Sequence, residues 1–232
     1  MNEEHSIDVV LPVLNPSEGW VEETLERKHQ LATASGKNVR LIVVDDGSTS
    51  TAPFDALVGR DQNVRVIRIK DNSGKGAALR QGVLNASSDV ILYTDADFPY
   101  TVESMTAITH AVENGVDIAL GYREQDYYAS VPWFRKGMSE SFRFLLKRIL
   151  HFPITDTQCG LKGMNRKGRD VFLATRINRF LVDMDFIKRA VRTEGLVIEP
   201  VVVKLRNDVT FSKMGLGVIL REGVNFVRVL LT

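Results

Sequence analysis

Apolar positions along the chain alternate between two patterns. Short, nearly continuous β-branched runs occur at Ile7–Leu14, Val39–Asp46, Val64–Ile69, Asp89–Asp95 and Val116–Tyr122. Between them, Trp20–Ser35, Gly74–Ser87 and Thr101–Gly115 carry apolar residues at helical spacing. Runs without polar alternation are what strands buried on both faces look like. Strands and helices in turn predict βαβ units, and therefore a mostly parallel sheet with helices on both sides. The later part is less regular. It predicts a long helix over Trp133–His151, a turn-rich Phe152–Asn165, a helix over Asn178–Gly195 and a strand over Leu196–Leu205. An amphipathic helix closes the chain from Leu216 to Thr232. No repeat, low-complexity tract or linker interrupts the 232 residues, so they read as a single α/β domain.

In such sheets ligands bind beyond the carboxyl ends of the strands. The polar clusters fall there: Pro12 and Asn15 after the first strand, Asp45 and Asp46 at the end of the second, Asp95 and Asp97 after the fourth. Val43–Ser50, "VVDDGSTS", suits either a turn with a helix cap or a nucleotide site in which a carboxylate accepts from a base N–H. "DNSGKGAALRQG", Asp71–Gly82, sets Lys75 between glycines at a helix start. Open N–H groups there favour an anion, and a capped surface helix is the alternative. The phosphate-loop spacing is absent, and no G-x-G-x-x-G follows the first strand. Asp95 and Asp97 stand two apart at a strand end, where like charges repel and raise a pKa. A divalent cation relieves that repulsion, and oxygen-only ligands suit Mg²⁺ or Mn²⁺.

Composition narrows the partners. Apolar content of 44%, charged content of 25% and a net charge of +1 leave no bulk field for nucleic acid. The single cysteine, Cys159, cannot form an internal disulfide, which points to a reducing compartment. It reads as a small loop or core residue rather than a nucleophile, and the histidines lack metal spacing. The acidic start has no signal-peptide pattern, and no apolar run reaches the ~18–20 residues of a membrane span. The expectation is a cytoplasmic protein, free or peripheral on the inner face of a membrane. Phe142, Leu145, Leu146, Ile149 and Leu150 share a helix face in a segment made basic by Arg135, Lys136, Arg143, Lys147 and Arg148. That segment suits a core-facing helix or an interfacial one. The terminal stripe from Leu216 to Leu231 could pack on the domain, on another subunit or on lipid, and Tyr127 and Tyr128 suit an acceptor mouth or a plain loop.

The segments "VVLPVLNP", "LIVVDDGSTS", "NSGKGAAL", "VILYTDAD", "LGYR", "DTQCGLKGM", "FLVDMDFIKRA" and "VVVKLRNDVTFSKMG" follow one another along the chain. In that order they resemble family 2 glycosyltransferases of the GT-A fold, most nearly the dolichyl-phosphate mannosyltransferase-like branch. The resemblance implies a Rossmann-like three-layer sandwich with a nucleotide-sugar-binding half over 1–123. An acceptor-side half over 124–215 and the C-terminal helix over 216–232 would complete it. It implies inverting, metal-dependent transfer from a UDP- or GDP-sugar to a polyprenyl phosphate or a glycan hydroxyl, as in cell-envelope polysaccharide synthesis. Asp46, with Asp45, would hold the base and Pro12 would shape its pocket. Asp95 and Asp97 would hold Mg²⁺ or Mn²⁺ and the donor diphosphate, with Lys75 and Arg123 adding positive charge. Asp156 would sit by the acceptor, as general base for a hydroxyl or as a positioning group for a phosphate. Three positions depart from the family: Leu14 and Pro16 replace a tyrosine and a glutamate, and Pro99 stands where that branch often has glutamine. The rivals are a sugar nucleotidyltransferase, whose glycine-rich loop is missing, and a nucleotide-sugar-binding scaffold without turnover.

Overall fold

The computed structural model describes residues 6–123 and 156–208. Its centre is a seven-stranded sheet in the order β3-β2-β1-β4-β6-β5-β7. The strands are β1 (Ser6–Val13), β2 (Asn38–Asp46), β3 (Val64–Ile69), β4 (Val90–Tyr93), β5 (Ile118–Tyr122), β6 (Lys162–Met164) and β7 (Ile198–Val202). All pairings are parallel except those of β6, which runs antiparallel to both β4 and β5. Helices α1 (Trp20–Ser35), α2 (Ala52–Arg60) and α4 (Val102–Glu113) cover one face. Helices α3 (Lys75–Leu84), α5 (Arg166–Leu173) and α6 (Val182–Arg192) cover the other.

The strands sort their side chains with a period of two. Ile7, Val9, Leu11 and Val13 of β1 join the core under α1, α2 and α4, and Val10 joins the opposite core. Val90 and Leu92 against Ile91 and Tyr93 repeat the pattern in β4. Because both faces are buried, neither reads as polar, which is why these strands appear as unbroken apolar runs. On α1 the buried stripe is Trp20, Val21, Thr24, Lys28 and Leu31, and Gly36 closes the helix with φ 66°. Thr101 caps α4 by accepting from Ser104 N, and Asn165 caps α5 by accepting from Lys167 N and Gly168 N.

The predicted three-layer sandwich is present, with trimmed ends. The run Asp89–Asp95 is a strand only over β4, and Leu196–Leu205 only over β7. Helices α2 and α5 and strand β6 were not anticipated: the helices are short, and β6 spans three residues of the turn-rich segment. The expected helices over 133–151 and 216–232, and Tyr127 and Tyr128, lie outside the described residues. Among the described residues no helix is long and apolar enough to cross a membrane.

Two topological features position the site. Chain order reverses around β1, with β2 on one side and β4 on the other, which opens a crevice at their carboxyl ends. The β1–β4 ladder stops at Val10 and Tyr93, with Val10 O accepting from Thr94 N. Two residues on, Pro12 has no N–H to extend that ladder. Strand β6, being antiparallel, enters from this same edge. The residues just before it, Asp156 to Leu161, therefore meet the ends of β4 and β5.

Candidate active site

At the end of β2, Asp45 and Asp46 are both buried and differ in what they touch. Asp45 Oδ1 accepts from Ser48 N at 2.8 Å. Its Oδ2 is buried and accepts no hydrogen bond among the described residues, with Arg68 Nε 3.5 Å away. A buried acceptor of this kind is costly unless a ligand or water completes it. Both oxygens of Asp46 are occupied, by Ser73 N at 2.7 Å and Gly74 N at 2.8 Å. Asp46 thus ties the loop before α3 to the strand end. Gly47 follows with φ 84°, and a Cβ there would stand 2.7 Å from Asn72 N. Asn15, with φ 48°, links the β1 loop to the same turn: its N donates to Ser48 Oγ at 2.8 Å and its Oδ1 accepts from Thr49 N at 2.9 Å.

The start of α3 is not the open anion cradle that its glycines suggest. Gly76 N and Ala77 N both donate to Asn178 O, at 2.8 and 3.2 Å, and the donors just before them hold Asp46. What α3 contributes to the crevice is the Lys75 side chain. Its Nζ donates to Asp95 Oδ1 at 2.6 Å. Burial would lower the Lys75 pKa, but the charges of Asp95 and Asp183 and the hydrogen bond to Asp95 outweigh it and raise it. Lys75 is a permanent cation.

The loop carrying Asp95 and Asp97 is held by Trp20 and Arg206. Trp20 Nε1 donates to Ala96 O at 2.9 Å, Arg206 Nη1 to Phe98 O at 3.1 Å, and Arg206 N to Pro99 O at 2.9 Å. Buried Phe98 takes a φ of 43°, a strained conformation for a bulky residue that persists because packing fixes it. Partial burial, then the charge of Asp95, raises the Asp97 pKa. Among the described residues no three His, Cys, Asp or Glu side chains form a metal cage. Asp95 and Asp97 offer only carboxylate oxygens, a donor type that would suit Mg²⁺ or Mn²⁺ if phosphate and water completed the shell. Pro99 adds no side-chain ligand, and its carbonyl serves to hold Arg206. Gly160 lies against Asp95, where a Cβ would collide with Oδ2.

On the other side of the crevice, Arg123 directly follows β5 and grips Asp156. Its N and Nε donate to Asp156 Oδ2 at 3.0 and 2.8 Å, and its Nη2 to Oδ1 at 2.8 Å. Burial alone would raise the Asp156 pKa, but these hydrogen bonds and the guanidinium charge hold it below the usual carboxylate range. Burial likewise opposes the Arg123 charge, and Asp156 more than restores it. Beneath the pair, Tyr100 Oη accepts from Gly160 N at 2.7 Å. Fully buried Lys162 donates to Cys159 O. Burial raises the Cys159 pKa, so its thiol stays neutral, in keeping with a core residue.

The family model for glycosyl transferase family 2 matches residues 8–172, well over half of the chain. The chain belongs to this family. It is similar to a dolichyl-phosphate beta-glucosyltransferase of Drosophila melanogaster, 29% identical over 78% of this chain and 61% of that protein. The human protein of the same name is 34% identical over 63% of this chain and 50% of its own length. The chain thus spans half to three-fifths of the length of these curated relatives. Among solved structures, mannosyl-3-phosphoglycerate synthase from Rubrobacter xylanophilus superposes with TM-score 0.71 at 15% identity, covering 98% of this chain and 73% of that one. A mannosyltransferase from Pyrobaculum calidifontis, solved with GDP-Man and Mn²⁺, superposes with TM-score 0.59 at 14% identity over 85% and 55% of the two chains. These likenesses establish the GT-A fold.

This family 2 chain gathers Pro12, Asp45, Asp46, Lys75, Asp95, Asp97, Arg123 and Asp156 along one sheet edge, the edge at which β1, β2, β4 and β5 end. Within it, Lys75 meets Asp95 and Arg123 meets Asp156, and Asp156 joins neither Asp95 nor Asp97 in a metal cage. Sequence reasoning missed three supporting residues. Asp183, 1% exposed, accepts from Tyr93 Oη at 2.6 Å. Gly160 makes room for Asp95, and Lys162 lies buried below Asp156. One signal was available for Asp183: it precedes Ile187 by four on a helix and so shares an apolar face. Strand β6 is too short to mark Lys162 or Gly160 by pattern.

Proposed function

We propose that the chain transfers a hexosyl group from a nucleotide-diphosphate sugar to a polyprenyl phosphate, with inversion at the anomeric carbon. The observation that carries this is the Arg123–Asp156 clamp at the acceptor side of a crevice whose other side holds Asp45, Lys75, Asp95 and Asp97. An acceptor hydroxyl must lose a proton, and a useful base has a pKa near the working pH. Asp156 has both oxygens on Arg123 and a pKa pushed the other way. A phosphate monoester, with a second pKa near ~6, is already largely an anion at neutral pH and needs no base. The names of the similar proteins, dolichyl-phosphate beta-glucosyltransferases, support the same acceptor class.

In this reading Asp45 Oδ2 accepts from the nucleotide base and Asp46 keeps the adjoining loop in place. Lys75 lies beside the diphosphate and adds fixed positive charge as the leaving group gains negative charge. Asp95 and Asp97 would hold Mg²⁺ or Mn²⁺, which supplies Lewis-acid stabilisation of the departing diphosphate. Arg123, fixed by Asp156, presents its charge to the acceptor phosphate. An acceptor oxygen forms a bond to the anomeric carbon as the bond to the donor's diphosphate oxygen breaks.

The test incubates purified protein with UDP- and GDP-hexoses and Mn²⁺, with and without a short polyprenyl phosphate. Nucleoside diphosphate should appear with lipid-linked sugar, and Asp97→Asn should lose both while keeping its circular dichroism spectrum. Full turnover by Asp97→Asn in EDTA would remove the metal role. Binding of donor without any transfer would favour a scaffold.

A further inference from the structure

The Asp95 side chain is 40% exposed, yet one of its two oxygens is already engaged. Its Oδ1 carries the Lys75 ammonium at 2.6 Å, and its Oδ2 faces Gly160. Lys75 is well placed to stay there. Its side chain is 14% exposed. The backbone on either side of it is tied down by Gly74 N on Asp46 and Gly76 N on Asn178 O. Behind the ammonium lies the buried carboxylate of Asp183, whose charge also acts on it and which Tyr93 orients. A dication approaching Asp95 by itself meets this fixed positive charge at close range. A dication riding on a diphosphate is different. The phosphates cancel its charge and offer Lys75 an anion, so repulsion becomes attraction.

We propose that Lys75 is a specificity-determining residue: it reserves Asp95 for a divalent cation delivered on a nucleoside diphosphate and turns away the free ion. The proposal rests on the metal role given to Asp95 and Asp97 above. It makes Lys75 a positioning residue for the cation site as well as a contact for the donor, with discrimination achieved by a built-in repulsion against the wrong form.

The test titrates the full chain with Mn²⁺ alone, reading free Mn²⁺ by electron paramagnetic resonance, for the wild type, Lys75→Met and Lys75→Arg. Lys75→Met should bind Mn²⁺ at least about tenfold more tightly than the wild type, a change well within such a titration. Lys75→Arg, which restores the charge, should stay as weak as the wild type, an outcome that a merely structural role for the side chain would not produce. Adding UDP or GDP should strengthen Mn²⁺ binding by the wild type and lose most of that effect in Lys75→Met. Lys75→Gln carries the same comparison if the methionine variant does not fold. Lys75→Met or Lys75→Gln binding free Mn²⁺ no more tightly than the wild type overturns the proposal alone, provided the wild type binds Mn²⁺ with a nucleotide. No Mn²⁺ binding by the wild type with either nucleotide overturns this proposal and the metal role together.

Discussion

Replacing Asp156 with asparagine tests the clamp on which the acceptor assignment rests. The carboxylate is 6% exposed and accepts three hydrogen bonds from one arginine, whose side chain is 14% exposed. Removing one partner of a buried ion pair costs about 3–5 kcal/mol, because the other charge is left without compensation. The substituted amide would retain one acceptor oxygen and Arg123 is partly wet, so the expected loss lies near the lower end, about 3 kcal/mol. For a chain of this size that corresponds to a fall in Tm of roughly 6–12 °C. The pH dependence follows from the direction of the shift. The folded pKa of Asp156 lies below its unfolded value, so its contribution is complete above the unfolded carboxylate pKa of about 3.9 and fades as pH falls through the folded one. The gap between wild type and Asp156→Asn should therefore be constant near neutrality and narrow below about pH 4. Urea titrations at several pH values read both quantities. Adding Arg123→Met to Asp156→Asn should cost less than the two changes summed, by about 1.5 kcal/mol or more. A loss under about 1 kcal/mol at pH 7, or a gap that persists unchanged into acid, would mean that the clamp does not hold this charge as described.

Gly160→Ala should push its Cβ into Asp95, at a stability cost of about 1–3 kcal/mol, while transfer falls by about a hundredfold from the misplaced carboxylate; melting curves and initial rates separate the two effects. Asp45→Asn keeps an acceptor for Ser48 N and turns the orphan oxygen into a donor, so the donor KM should rise about tenfold or more with kcat nearly kept. An unchanged KM would remove Asp45 from base binding. Asp46→Asn loses one of two acceptors for Ser73 N and Gly74 N and should cost about 2 kcal/mol in urea unfolding.

Strands β1 to β5 were legible because a sheet buried on both faces writes unbroken apolar runs, and the helices between them because their buried stripes keep helical spacing. The candidate residues were legible as positions, since the carboxyl ends of parallel strands mark one edge. Their division of labour was not. Asp45 and Asp46 look alike in sequence, yet one leaves an oxygen open and the other secures a loop, a difference set by backbone donors from Ser73 and Gly74. The pairing of Arg123 with Asp156 depends on the antiparallel entry of β6, a three-residue strand with no readable pattern. The glycines around Lys75 suited either an open anion site or a capped helix, and the backbone donors there answer to Asp46 and to Asn178, partners distant in the chain.

In the proposed mechanism the acceptor arrives as an anion and needs no base. A direct comparison offers the purified chain, with UDP- and GDP-hexoses and Mn²⁺, the same short polyprenyl chain as its phosphate and as its free alcohol, and separates lipid-linked sugar by chromatography. Sugar on the phosphate, with none on the alcohol, is the predicted result. Glycosylation of the alcohol with the phosphate left untouched would contradict it.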